Sequence, residues 1–203
     1  SIIIPEVGFT SQENNILPRK RNGNLKICWS GLHIPRKSLN LLLEAIPLCK
    51  NKENIELHII GDGECNSKWK KMAKRLQINN IKWYGWVDRE TAMNIMQQSH
   101  IFTITSLSDA TSTVLLEALS LGLPVIALNH LGFANVITDN CGIKIDIKSK
   151  AQLINNLSKA IDNIYENEDL RLHLANGAIN RSKEFSWESK AKIINNIYLQ
   201  ISK

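Results

Sequence analysis

The 203-residue sequence predicts an α/β fold, a parallel sheet with helices on both faces and a helical C-terminal tail. Three observations carry that expectation. Short apolar runs alternate five times or more with segments of helical period. The strand-like runs are apolar almost throughout, as expected for strands covered on both sides. Glycines stand where the first runs end, at Gly31, Gly61 and Gly85.

Along the chain, Ser1-Ile2-Ile3-Ile4-Pro5 reads as a short extended segment, and residues 10–24 as a polar loop containing Pro18 and Arg19-Lys20-Arg21. Residues 25–30 form the first predicted strand. Leu39, Leu42, Leu43 and Ile46 then recur at helical spacing behind Ser38, a candidate N-cap. Residues 55–60 are the second strand, followed by a helix striped with Trp69, Met72, Ala73 and Leu76. Residues 81–84 are the third, followed by a short helix marked by Ala92, Ile95 and Met96. Residues 101–105 are the fourth, followed by a helix from near Ser112 that Gly122 and Pro124 stop. Residues 125–128 and 143–147 complete the strands. The tail from Ala151 reads as three helices broken near Glu168 and Phe185.

Composition removes several function classes. Apolar residues make up 43% and charged residues 22%, ordinary for a globular chain. No run approaches the ~18 apolar residues of a membrane span. The formal charge is +6, which suits phosphorylated ligands, nucleic acid or an anionic surface without choosing among them. Cys28, Cys49, Cys65 and Cys141 contain no Cys-x-x-Cys and read as reduced thiols of a cytosolic chain. The two Asn-x-Ser sequons, at Asn156 and Asn180, fall inside helical patterns and read as accidental. The five histidines form no metal-binding pair, so no metal site is expected. His58 reads as a satisfied face residue, while His33 and His130 fall in candidate site loops. Gly61-Asp62-Gly63 opens a dinucleotide fingerprint, but Asn66 stands at its third glycine. No phosphate-binding P-loop is present. Lys68, Lys70, Lys71, Lys74 and Arg75 oppose the apolar stripe of their helix and read as a solvated face. No aromatic residue interleaves with them, so no nucleic-acid partner is expected. Trp83 is expected in the core, Tyr84 on the opposite face, and Trp86 at a pocket wall.

In open parallel sheets ligands bind beyond the carboxyl ends of the strands. The richest such segment runs from Ser106 to Ala118. A small-residue loop there meets a helix N-terminus, whose free N–H groups suit phosphate, with Thr111, Ser112 and Thr113 adding hydroxyls. Glu117, one turn into that helix among apolar neighbours, is expected to be nearly buried, and its two oxygens can accept both hydroxyls of a ribose. Lys37, just before the first helix, can reach the same cleft as a point charge.

The order of these segments resembles a known family. It runs Gly31…Pro35-Arg36-Lys37…Leu41-Leu42-Leu43-Glu44-Ala45, Ile60-Gly61-Asp62-Gly63, Trp83-Tyr84-Gly85-Trp86-Val87, Ser106…Asp109…Leu116-Glu117-Ala118-Leu119, Gly122-Leu123-Pro124-Val125-Ile126-Ala127 and Phe185-Ser186-Trp187-Glu188. It is similar to the C-terminal, nucleotide-sugar-binding domain of glycosyltransferase family 4 (glycosyl transferase group 1), whose members have the GT-B fold of two Rossmann-like domains. The resemblance implies a Rossmann-like donor-binding domain over residues 25–185. Residues 1–24 are then an interdomain linker, and residues 186–203 a helix crossing back to an N-terminal acceptor domain that this chain lacks.

The resemblance also implies roles. Lys37 contacts the donor diphosphate, Glu117 the ribose and Asp109 the sugar, with Lys37, Asp109 and Glu117 as the catalytic set. Gly31, Val87, Thr111, Ser112 and Thr113 complete the donor site. The donor is a UDP- or GDP-sugar, with no metal and no other cofactor required. Transfer is retaining and serves polysaccharide or glycoconjugate synthesis. The 203 residues alone are expected to bind nucleotide but not to sustain transfer. The expected location is cytoplasmic, with peripheral contact at the inner membrane face admitted. The alternatives are a non-catalytic sugar-nucleotide module and a GT-B-type epimerase domain. Three departures from the family pattern stand out. Leu32 replaces an arginine, leaving Arg36 or His33 to supply the second cation. Asp109 shortens a glutamate. Ala110-Thr111-Ser112 replaces a glycine-rich stretch.

Overall fold

The computed structural model describes residues 18–109 and 112–201. The expected extended segment at Ser1–Pro5, most of the expected linker, and Thr111 lie outside the described residues. Six parallel strands form one sheet in the order β3-β2-β1-β4-β5-β6: β1 Leu25–Ser30, β2 Ile55–Ile60, β3 Ile81–Gly85, β4 Ile101–Ile104, β5 Val125–Leu128 and β6 Gly142–Ile145. The helices are α1 Leu39–Ala45, α2 Asn66–Arg75, α3 Arg89–Gln97, α4 Thr113–Ser120, α5 Leu131–Val136, α6 Lys150–Glu166, α7 Glu168–Lys183 and α8 Trp187–Ile201. The α/β, Rossmann-like expectation is therefore borne out, including its helical tail.

Strand periodicity divides the core into two layers. Ile27 and Trp29 of β1 pack with Leu57 and Ile59 of β2 against α1, α2 and α6. Cys28 joins Phe102, Ile104, Val125 and Ala127 on the other face, against α3, α4 and α7. Trp83 and Tyr84 fall on opposite layers, as alternation requires, but both are only partly buried because β3 is an edge strand. His58 is buried but only half satisfied: Tyr84 Oη lies 2.8 Å from Nδ1, whereas Nε2 stands 3.0 Å from Glu56 Oε1 without making a hydrogen bond.

Some local expectations change. Ser38 precedes α1 but does not cap it through its side chain. Its backbone is left-handed at φ 50°, and Oγ donates to Pro35 O at 2.9 Å, closing the preceding turn. The loop expected after β5 is largely the short helix α5, invisible in a segment too short to show a period. The break between α6 and α7 is a true cap, with Asn167 Oδ1 accepting from Leu170 N at 2.9 Å. Of the expected linker, Arg21 is anchored on that junction by its bonds to Glu168 Oε1 (2.8 Å) and Tyr165 O (2.9 Å).

The sheet reverses its winding between β1 and β4, and that switch point opens a crevice at the strands' carboxyl ends. Two backbones meet there. A Cβ on Gly61, which has φ +116°, would lie 2.0 Å from Gly31 O. Gly61→Ala should therefore destabilise by roughly 2–4 kcal/mol, combining left-handed strain with a clash that only backbone movement relieves. Gly85→Ala, also at positive φ but in open space, should cost only about 1–2 kcal/mol, and urea titration of the two variants checks both values.

His100 yields a pH prediction. Its Nδ1 accepts from Lys26 N at 3.0 Å. Burial first, then the nearby Arg171 and Lys26 charges, push its pKa down to about 4. The unfolded chain binds the proton more readily, so this contribution is complete above pH 6.5 and is lost as pH falls toward 4. The loss should be roughly 2–3 kcal/mol. His100→Asn, which keeps an acceptor and does not titrate, should flatten that part of the stability–pH curve.

Candidate functional site

A chain of hydrogen bonds builds the crevice from β1 outward. Trp29 Nε1 donates to Thr105 Oγ1 at 3.0 Å, and Thr105 Oγ1 donates to Lys37 O at 2.9 Å. Leu107 N and Ser106 Oγ both donate to Arg36 O, at 2.8 and 3.3 Å. The loop after β1 is thus sewn to the loop after β4 along the switch point. The resulting cleft measures about 370 Å³ and is lined in part by Gly31, Lys37, Gly61, Val87 and Ser112. That is within the usual range for small-molecule sites. Trp86, 76% exposed, stands on its wall as expected.

Lys37 and Arg36 converge on one carboxylate. Lys37 Nζ lies 2.5 Å from Asp109 Oδ2, and Arg36 Nη1 bonds Asp109 Oδ1 as well as Ser108 O at 2.9 Å. Burial opposes ionisation of Asp109, but the bonds from Lys37, Ser106 and Arg36 outweigh it and hold the carboxyl below its usual range. Two cations and one anion leave a net positive cluster on the cleft floor. Both cations line the cleft, and Arg36 is the more exposed.

Of the two residues expected to replace the arginine missing at Leu32, only Arg36 is placed to do so. The His33 ring is buried among Trp29, Trp69 and Trp83, with centroids 5.2–5.9 Å away, and burial lowers its pKa. Its backbone instead ties the first two site loops together, His33 N donating to Asp62 O at 2.8 Å. His130 packs beside β4, its Nε2 2.9 Å from Ser106 O, so that nitrogen carries the proton and donates.

Ser112 is the N-cap of α4 and lines the cleft, but its side chain makes no capping bond. Leu115 N bonds back to Ser112 O at 3.1 Å, so within the first turn it is the N–H groups of Thr113 and Val114 that could serve an anion. Thr113 starts the helix and is exposed. Glu117 is 8% exposed, as its apolar setting suggested. Sequence reasoning missed its partner: Arg89 Nε donates to Glu117 Oε1 at 2.8 Å. The pair is 28 positions apart in sequence. The only local signal was a cation in the first turn of α3, the end of a helix that favours anions. Gly31, Lys37, Val87, Ser112 and Asp109 are thus brought together around the crevice, Glu117 sits one turn deeper along α4, and Thr113 faces solvent. Among the described residues, no three His, Cys, Asp or Glu side chains converge as a metal site would require.

The chain has known relatives in sequence and in fold. The chain is 29% identical over 175 residues to the GPI3 subunit of phosphatidylinositol N-acetylglucosaminyltransferase from Saccharomyces cerevisiae, covering 85% of this chain and 38% of that protein. It is 24% identical over 172 residues to an uncharacterized glycosyltransferase of Methanocaldococcus jannaschii, covering 85% and 47%. It spans less than half the length of these relatives. Among solved structures, the pneumococcal O-GlcNAc transferase GtfA, in complex with UDP and GlcNAc, superposes with a TM-score of 0.80 at 19% identity, over 100% of this chain and 40% of that one. The catalytic domain of the Helicobacter pylori cholesterol-α-glucosyltransferase gives 0.73 at 21% identity, over 80% and 99%. Both structures share the fold of this chain. The family model of the glycosyl transferases group 1 matches residues 12–181, so the chain belongs to that family.

Proposed function

We propose that this chain is the C-terminal, donor-binding domain of a retaining family 4 glycosyltransferase with the GT-B architecture. It binds a UDP- or GDP-sugar and serves polysaccharide or glycoconjugate synthesis. The observation that carries the proposal is the convergence of Lys37 and Arg36 beside the open N-terminus of α4, with buried Glu117 one turn further on. A diphosphate fits the cations and the helix end, and a ribose diol fits a carboxylate with two acceptor oxygens.

Each residue then has a task. Lys37 and Arg36 hold the diphosphate and neutralise the charge that grows as it leaves, with the first N–H groups of α4 aimed at the same oxygens. Asp109 holds both cations in the free cleft, keeping their ammonium and guanidinium heads in place until phosphate oxygens take over. The carboxylate is then available to the sugar hydroxyls. Gly31 admits the donor close to the backbone, while Val87 and Trp86 border the base. Ser112, which lines the cleft, and Thr113 at the start of α4 are assigned to the phosphate end, and Thr111, assigned there by the resemblance, lies outside the described residues. Fixed cations and N–H dipoles supply the electrostatic stabilisation that a divalent ion supplies elsewhere, so no metal is assigned.

The acceptor side belongs to a second domain. Residues 186–203 read as the helix that reaches it, and Trp187, Ile193, Ile194 and Leu199 of α8 are exposed here. Among the described residues no helix is long and apolar enough to cross a membrane. A cytoplasmic location with peripheral membrane contact is proposed. The relatives named for phosphatidylinositol and cholesterol glycosylation support an acceptor at a membrane surface.

A thermal-shift panel of UDP, GDP, ADP and their sugars tests the assignment, with stabilisation expected from UDP or GDP compounds. No response to any of them would remove the donor-binding role. Glu117→Ala should weaken nucleotide binding by about 1.5–3 kcal/mol in calorimetry, the size of hydrogen bonds to a charged group. Lys37→Ala should weaken the nucleoside diphosphate far more than the nucleoside. Equal losses for both would take Lys37 out of the phosphate site.

A further inference from the structure

We infer that Arg89 is a positioning residue for ribose recognition, its guanidinium holding the buried Glu117 carboxylate in the orientation that receives a diol. The inference rests on the placement of a ribose at Glu117 proposed above.

Nothing local accounts for Arg89. It opens α3, where the helix dipole disfavours a cation, directly after Asp88, whose Oδ1 already caps the helix by accepting from Thr91 N at 2.8 Å. Its side chain is 68% exposed, yet its Nε reaches down to Glu117 Oε1, on a side chain only 10% exposed. The interaction is therefore asymmetric. The arginine is free to rotate into water, whereas the carboxylate is held in an apolar helix face between Leu116 and Ala118, both buried. An exposed ion pair contributes little to stability. A buried carboxylate whose partner is removed loses much more.

The pair also lies at the right place. Ala92 and Val114 line the cleft, and they stand three positions after Arg89 on α3 and three before Glu117 on α4. Residues three apart share a helix face. Arg89 and Glu117 are not themselves among the lining residues, so the ion pair lies about one helical turn from the cleft wall that Ala92 and Val114 form. One guanidinium bond to Oε1 leaves that oxygen's second lone pair and the whole of Oε2, room for two hydroxyls. A carboxylate fixed before the ligand arrives spares the cost of ordering it on binding. Arg89 thus sets the geometry, and Glu117 makes the contact.

The test compares a nucleoside diphosphate, UDP or GDP according to the panel, with its 2′-deoxy form, using calorimetry on the full chain. The wild-type protein should bind the ribonucleotide more tightly. Arg89→Ala should lower that ribonucleotide affinity about five- to tenfold and leave the deoxynucleotide nearly unchanged, while the melting temperature falls because the buried Glu117 carboxylate loses its partner. Arg89→Lys should restore part of the preference, and Arg89→Ala added to Glu117→Ala should cost nothing more. An unchanged ribo-to-deoxy ratio in Arg89→Ala, with the ratio abolished in Glu117→Ala, overturns the role of Arg89 alone. Tighter ribonucleotide binding in Arg89→Ala also overturns it, making Arg89 a competitor for the carboxylate. A wild-type protein indifferent to the 2′-hydroxyl overturns the ribose assignment, and this inference falls with it.

Discussion

The hydrogen bonds that join the loop after β1 to the loop after β4 are the constraint on which the site depends. Trp29, rooted in one core layer, reaches Thr105, and Thr105 reaches the backbone carbonyl of Lys37. Arg36 O accepts from the next two residues of the β4 loop. These are buried or half-buried bonds at the point where parallel winding reverses, where neighbouring crossovers diverge and leave a gap between them. Without them the loops that carry Lys37 and Asp109 would have no common reference. With them, two side chains 72 positions apart meet at 2.5 Å.

Charge balance is the second layer of organisation. Cations line the cleft, and the little-exposed carboxylates beside it are paired: Asp109 with Lys37 and Arg36, and Glu117 with Arg89. A carboxylate with little water around it requires such a partner, since the alternative is an unpaired charge in a poorly solvated place. The same cations are what an anionic ligand would seek. The backbone beneath is fixed by the Gly31–Gly61 approach and the seam at the switch point.

Membership of the group 1 glycosyl transferases places these features in a wider frame. The fold is shared with solved glycosyltransferases at about a fifth of identical residues. Side-chain detail at that distance has to be read from this chain itself. Here Arg36, four residues beyond Leu32, is drawn by the β4 loop toward Asp109 through its own carbonyl and side chain. Arg36 and Lys37 thus both line the cleft.

Much of this was legible in the sequence because it depends on short-range regularities. Alternating periods of two and 3.6 residues predicted the layers, apolar continuity predicted parallel strands, and the apolar flanks of Glu117 predicted its burial. The loops that bear the site followed from where strands end. Partnership was not legible. Nothing local marks that Ser38 bonds backward to Pro35 instead of capping, that His33 is enclosed by three tryptophans from three different segments, or that Arg89 finds Glu117. Each of these is settled by which elements the sheet order places side by side, and that order depends on summed packing of distant strands and helices. The sequence by itself determined the kinds of element, their order and the chemistry each loop carries, because propensity and burial are local. Only the tertiary structure decided which charges meet, because an ion pair depends on a few ångströms between residues that the chain alone leaves far apart.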